Sequence, residues 1–214
     1  MNCIFSIKKQ YSDLIFDKIK PIEFRNVCPK LEENDKVFIY ETKNGGCGKI
    51  VGYFIVDEIK KIPFSKVGTY LFMDVYANLF CDDETKNMVN KAKQIDLEDC
   101  YNDFVLSYLF MDKYLDEMLK THKPISINFY AFNSNDWKNY SELEKKTRKF
   151  LDDCDNWLYK IGFYNSYDYS TWKYQINIKD AIKFEEPMDI TQFQLKNGKF
   201  LNKAPQSFCY TLNN

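Results

Sequence analysis

Polar and apolar residues trade places with a period of two in residues 3–7 (CIFSI) and again in 22–25 (IEFR), which predicts a strand at each. In IEFR, Ile22 and Phe24 point one way and Glu23 and Arg25 the other. Between the two runs, Leu14, Ile15, Phe16 and Ile19 supply one apolar side of a short helix. Ser12 is positioned to cap it and Pro21 to end it, since the proline ring cannot extend the hydrogen-bond ladder. The strongest strand signals are residues 36–42 (KVFIYET) and 49–59 (KIVGYFIVDEI). They flank KNGGCG at 43–48, where Asn44-Gly45 accepts the positive φ of a tight hairpin. Gly52 inside the second run marks a bulge or bend.

From about residue 84 to 122 the period changes. Phe104, Tyr108, Met111, Leu115 and Met118 recur at three and four, the stripe of a long amphipathic helix. Residues 124–132 (PISINFYAF) return to a strand pattern. A second helix follows, with Ser141 and Glu144 as a capping box, a stripe through Leu143, Thr147, Phe150, Leu151, Cys154, Leu158 and Ile161, and Gly162 as its terminal glycine. The aromatic members of that stripe are expected in a core, not around a cofactor. Residues 171–178 (TWKYQINI) predict a strand, a loop-rich tail follows, and 204–212 (APQSFCYTL) predict the last strand. Strands at both ends with helices between them imply one α+β domain over 1–214.

Composition narrows the function classes. With 45% hydrophobic and 29% charged residues, the 214-residue chain is of globular composition, and a net charge of −1 excludes bulk coating of nucleic acid while leaving room for a local basic groove. Charge is uneven: 1–80 carry a net +2, 81–160 a net −4 and 161–214 a net +1, so the middle differs from the ends. Seven scattered cysteines, none spaced C-x-x-C, fit free thiols in a reducing cytoplasm. No apolar run approaches membrane-spanning length, and no membrane association is expected. His122 is the single histidine and sits at an expected helix end, which removes multi-histidine metal centres. GGCGK does not make a phosphate loop, because Lys43 stands where the first glycine belongs, Ile50 follows the lysine and a strand comes next. No metal and no cofactor is expected.

One stretch carries candidate chemistry: IFDKIKPIEFRN, residues 15–26. On its alternation alone two arrangements are open. Glu23 and Arg25 are either the wet face of an edge strand or, with Lys20, the lining of a hollow. In a hollow, Arg25 offers a planar fork for a phosphate or base edge, Lys20 a point charge, and Glu23 an acceptor or general base.

The same stretch resembles the signature of the ASCH domain, a small barrel related to PUA and EVE domains. The pattern Gly-x-Lys-x-x-Glu-x-Arg after a short helix is matched in order and spacing by Lys20, Glu23 and Arg25, with Lys18 in the glycine position. Residues 37–59 are similar to the family's second and third strands, and 182–193 with 204–212 to its closing strands. The resemblance covers about 3–62 and 171–212, and the motif combines with Pro205-Gln206-Ser207. Residues 81–160 have no counterpart and read as a helical insertion.

The resemblance implies a PUA-like mixed β-barrel, closed by pairing of the first and last segments. It implies binding of RNA or a modified nucleotide in a cleft formed by Lys20, Glu23 and Arg25, with Tyr40, Gln206 and Ser207 contributing. Tyr53 and Trp172 are further stacking candidates. Some members look like hydrolases of acylated cytidines and others have been proposed as ribonucleases, so a small hydrolase with Lys20 and Glu23 as acid/base pair is an alternative. In the amidohydrolase members a threonine stands where this chain has Glu23. A second alternative is a protein-interaction module whose acidic insertion at 81–160 contacts a nucleic-acid-binding partner.

Overall fold

The computed structural model describes residues 2–62, 68–94, 134–164 and 172–212. The chain forms two compact units, one of residues 1–64 and 161–214 and the other of 65–160. The first is built on a six-stranded sheet of β1 (Asn2–Ile7), β2 (Ile22–Arg25), β3 (Lys36–Glu41), β4 (Ile50–Lys61), β5 (Tyr174–Met188) and β6 (Phe208–Thr211), with helix α1 (Lys9–Phe16) between the first two strands. The strand order is β2-β5-β4-β3-β1-β6. β1 runs parallel to β3, with Cys3 opposite Val37, and the remaining pairs are antiparallel. First and last strands pair as expected, Asn2 opposite Thr211. The sheet nonetheless curls into an open half-barrel, because among the described residues β2 and β6 are its two edges and do not pair.

Both faces of the central strands are covered, so β1 and β3 are apolar nearly throughout. One face holds Cys3, Phe5, Val37, Ile39, Phe54 and Val56. The other holds Ile4, Phe38, Tyr40 and Ile50, packed by Ile190, Phe193 and Leu201 of the segment before β6. Gly52 sits at the expected irregularity, with register shifts at Ile39/Tyr40 and Ile50/Gly52. A Cβ there would lie 2.2 Å from the Ile182 carbonyl oxygen and 2.8 Å from the Phe16 ring, so only glycine fits. The β3–β4 connection is wider than a tight hairpin, spanning residues 42–49, and turns on Gly45 and Gly48 with positive φ.

Several boundaries differ from those the sequence predicts. α1 starts at Lys9, so Ser12 is internal; its hydroxyl is buried and donates to Glu41 Oε1 at 2.9 Å instead of capping. α1 also ends well before Pro21. Lys18 takes φ 60°, its N–H bonds the Ile15 carbonyl and the Ile19 N–H bonds the Leu14 carbonyl, a glycine-type helix terminus made without glycine. β5 runs on to Met188 through a largely exposed half, and Pro187 is tolerated because β2 flanks only 174–177. The segment 204–207 precedes the last strand rather than joining it.

The helical unit comprises α2 (Gly68–Phe80), α3 (Asp83–Gln94) and α4 (Ser134–Lys160). It begins before residue 81, and α2 has no sequence-based expectation. α4 starts ahead of Ser141, so the capping box is internal, while Gly162 beyond its end has the expected positive φ of 80°. Thr147, Phe150, Cys154 and Leu158 of the stripe are buried. Tyr76 packs its ring against Phe150 and Trp157, and Thr69 donates to Asp155 at 2.7 Å, tying α2 to α4. The stripe at 104–118, His122 and the strand expected at 124–132 lie outside the described residues.

Candidate functional site

The short terminus of α1 decides where the charged motif goes. The left-handed turn at Lys18 reverses the chain, and the Lys20 N–H returns to the Leu14 carbonyl. The Pro21 carbonyl then accepts from the Ile178 N–H, which registers β2 on β5 with Glu23 opposite Ile176. Period two places Glu23 and Arg25 on one face, and Lys20 lies three residues ahead of Glu23.

The three side chains meet. Glu23 Oε2 is 3.5 Å from Lys20 Nζ, and Glu23 Oε1 is 3.0 Å from Arg25 Nη2. This is not a solvated pair, since Lys20 is 2% exposed and Glu23 7%. The Lys20 ammonium and the two Arg25 Nη groups find further partners, as burial demands. Lys20 Nζ donates to the Ile161 carbonyl at 2.8 Å and sits 4.5 Å from the centre of the Phe24 ring. Arg25 Nη2 donates to the Ser6 carbonyl at 3.1 Å, Nη1 reaches the Ser207 carbonyl at 3.5 Å, and the guanidinium carbon lies 4.4 Å from the centre of the Phe5 ring.

These residues line a cleft of about 430 Å³, with Lys8, Tyr11, Asn26, Val27, Trp172 and Ser207 around them. Among the described residues, three cations and one carboxylate face it. Burial lowers the Lys20 ammonium to a pKa of about 8, against the opposing pull of Glu23, so the amine is mostly protonated at neutral pH. The cleft therefore carries net positive charge. Trp172 Nε1 donates to the Gly162 carbonyl at 2.9 Å, and Gly162 lies so close to Tyr11 that a Cβ would be 2.8 Å from that ring.

Of the candidates read from the sequence, Lys20, Glu23, Arg25, Ser207 and Trp172 line the cleft together. Tyr40 is buried in the opposite face of the sheet with Ile4 and Phe38, and burial raises its hydroxyl pKa. Tyr53 packs on Phe38 and Phe184 on that same side. Gln206 is exposed and does not line the cleft. Lys8 and Tyr11 had no sequence signal, because the topology and not local spacing delivers them; Asn26 closes the charged stretch 15–26 but has no role assigned there. Among the described residues no cluster of His, Cys, Asp or Glu is arranged to hold a metal ion, and no helix is long and apolar enough to cross a membrane.

No family model matches the chain, and no curated protein does. Similar solved structures include the ASCH protein from Zymomonas mobilis, at 13% identity and a TM-score of 0.40, covering 98% of this chain and 86% of that one. Two point mutants of that protein are similar at 12% and 11% identity, with TM-scores of 0.40 and 0.39, covering 98% of this chain and 87% and 88% of theirs. Identity this low assigns no role to any residue.

Proposed function

We propose that the chain is an RNA- or nucleotide-binding module and that the cleft around Lys20, Glu23 and Arg25 takes one nucleotide of a single-stranded ligand. The observation that carries this reading is the convergence of three cations and one carboxylate with Tyr11 and Trp172 on one hollow of about 430 Å³. That volume falls in the range of small-ligand sites. Net positive charge in a partly desolvated cleft attracts phosphate, and aromatic rings in its lining offer stacking worth about 1–3 kcal/mol per base. The arrangement favours binding over proton transfer. Both Glu23 oxygens are already held by cations, so using one as a base breaks an ion pair.

The test uses fluorescein-labelled single-stranded oligoribonucleotides and the four ribonucleoside 5′-monophosphates. Binding is expected to weaken with salt, to fall at least about tenfold in Lys20→Met, and to quench less tryptophan emission in Trp172→Phe. Absence of binding to every probe at low salt would overturn the reading. Accumulation of a cleaved product, abolished by Glu23→Gln with the fold intact, would replace it with the hydrolase alternative.

A further inference from the structure

The open half-barrel has a seam. β2 forms one edge, β6 the other, and among the described residues no backbone ladder joins them. Arg25 reaches across from β2 to both strands on the far side: Nη2 to the Ser6 carbonyl in β1 and Nη1 to the Ser207 carbonyl just before β6. Those two residues are already coupled, since the Ser6 N–H donates to the Ser207 carbonyl at 3.1 Å and Ser6 Oγ donates to the Pro205 carbonyl at 2.6 Å. The guanidinium lies on the Phe5 ring, its Nε is buried with no hydrogen-bond partner among the described residues, and Nη2, the nitrogen that donates to Ser6, also meets Glu23 Oε1 at 3.0 Å. The Arg25 side chain is 11% exposed. By contrast, Lys8 and Asn26 of the cleft wall are exposed, and Tyr11 and Trp172 are half-buried.

We infer that Arg25 is a positioning residue: it clasps the seam between β2 and the β1–β6 pair and so sets the cleft's width, while a bound ligand is met by Lys8, Tyr11, Asn26 and Trp172. This rests on the proposed nucleotide-binding reading for the ligand's identity, but not for the clasp. A guanidinium is suited to the task because its planar fork serves two carbonyls and one carboxylate at once, and a lysine at the same position offers one point of attachment.

The experiment is Arg25→Lys, with Glu23→Gln as the milder variant should the first fail to fold. Amide hydrogen exchange is followed in the free protein at Ser6 and, as a control, at Phe38 and Tyr40 in β3. The clasp predicts that Ser6 exchange accelerates by about tenfold or more while the β3 amides keep their protection. Unchanged Ser6 exchange in both variants would overturn it, as would uniform acceleration at every amide, which marks general destabilisation. Where the labelled oligoribonucleotide binds, Arg25→Gln separates the clasp from direct phosphate binding. A clasp lowers affinity and leaves the slope of log affinity on log salt unchanged. Were the guanidinium bonded to a ligand phosphate, removing its charge would lower that slope by about 0.7–1, and the positioning role would fall. Lys8→Gln is expected to lower the slope. A protein that binds no nucleotide but shows the Ser6 acceleration keeps the clasp and loses the proposed function; the reverse pattern loses only the clasp.

Discussion

Single residues carry costs in this fold that identify their tasks. Lys18 holds a left-handed conformation, which costs a side-chain-bearing residue about 1–2 kcal/mol. Its exposed pairing with Asp180 at 3.6 Å recovers little of that. Lys18→Gly is therefore expected to raise stability by about 1 kcal/mol, read from the urea midpoint at unchanged m. Lys20 makes a pH-dependent statement. Burial lowers its folded pKa to about 8 from an ordinary value of 10.5. Between those two pH values the unfolded chain still holds a proton that the folded chain has released, so stability rises with pH there. Denaturation of wild type and Lys20→Met at pH 7 and pH 10.5 is expected to show the wild type gaining on the variant at the higher pH. An equal difference at both values would mean that the amine does not titrate in this window.

Elements were legible where local pattern and burial agree. β3 and β4 are long β-branched and aromatic runs separated by glycines, and they stand where expected. Gly52 was readable as an irregularity, and its consequence is steep. A methyl group placed against the Ile182 carbonyl meets backbone that cannot move aside, so Gly52→Ala is expected to cost about 3 kcal/mol by chemical denaturation. Boundaries failed where a side chain had another occupation. Ser12 carries a capping residue's chemistry, yet Glu41 takes its hydroxyl inside the helix. The second half of β5 carries charges and a proline, because one of its flanks has no described strand beside it. α2 reads GTYLFMDVYANLF, apolar with little polar contrast, so no helical period stands out. For the candidate site, the Lys20-Glu23-Arg25 spacing was visible in six consecutive residues. Ser6 of β1, Tyr11 of α1 and Gly162 beyond α4 join them only in the folded chain and could not be read locally.

At the scale of the whole molecule, the distribution of thiols offers a check on the packing. Burial pushes the Cys3 thiol up to about 12 and Cys209 up to about 11, and raises Cys154 further. Cys47 is exposed in the β3–β4 loop. Among the described cysteines, Cys47 is expected to be labelled first by an aromatic disulfide reagent under native conditions, with Cys3 and Cys154 reacting only on unfolding. Peptide mapping by mass spectrometry reads this directly, and early labelling at Cys3 would contradict the packed sheet.

The pairing of β2 with β5 bears on how the chain is made. Ile22 has Asn177 as its neighbour across the ladder, and β2 has no other described strand beside it. At ribosomal speed the two are separated by roughly 8–30 s of elongation. Through that interval a nascent chain holds β1, β3 and β4 able to associate, while β2 and the outer edge of β4 wait with unsatisfied backbone groups. Messages cut short before codon 174 are thus expected to yield insoluble product, and co-expressed holdase chaperones to raise the soluble yield of the full-length chain.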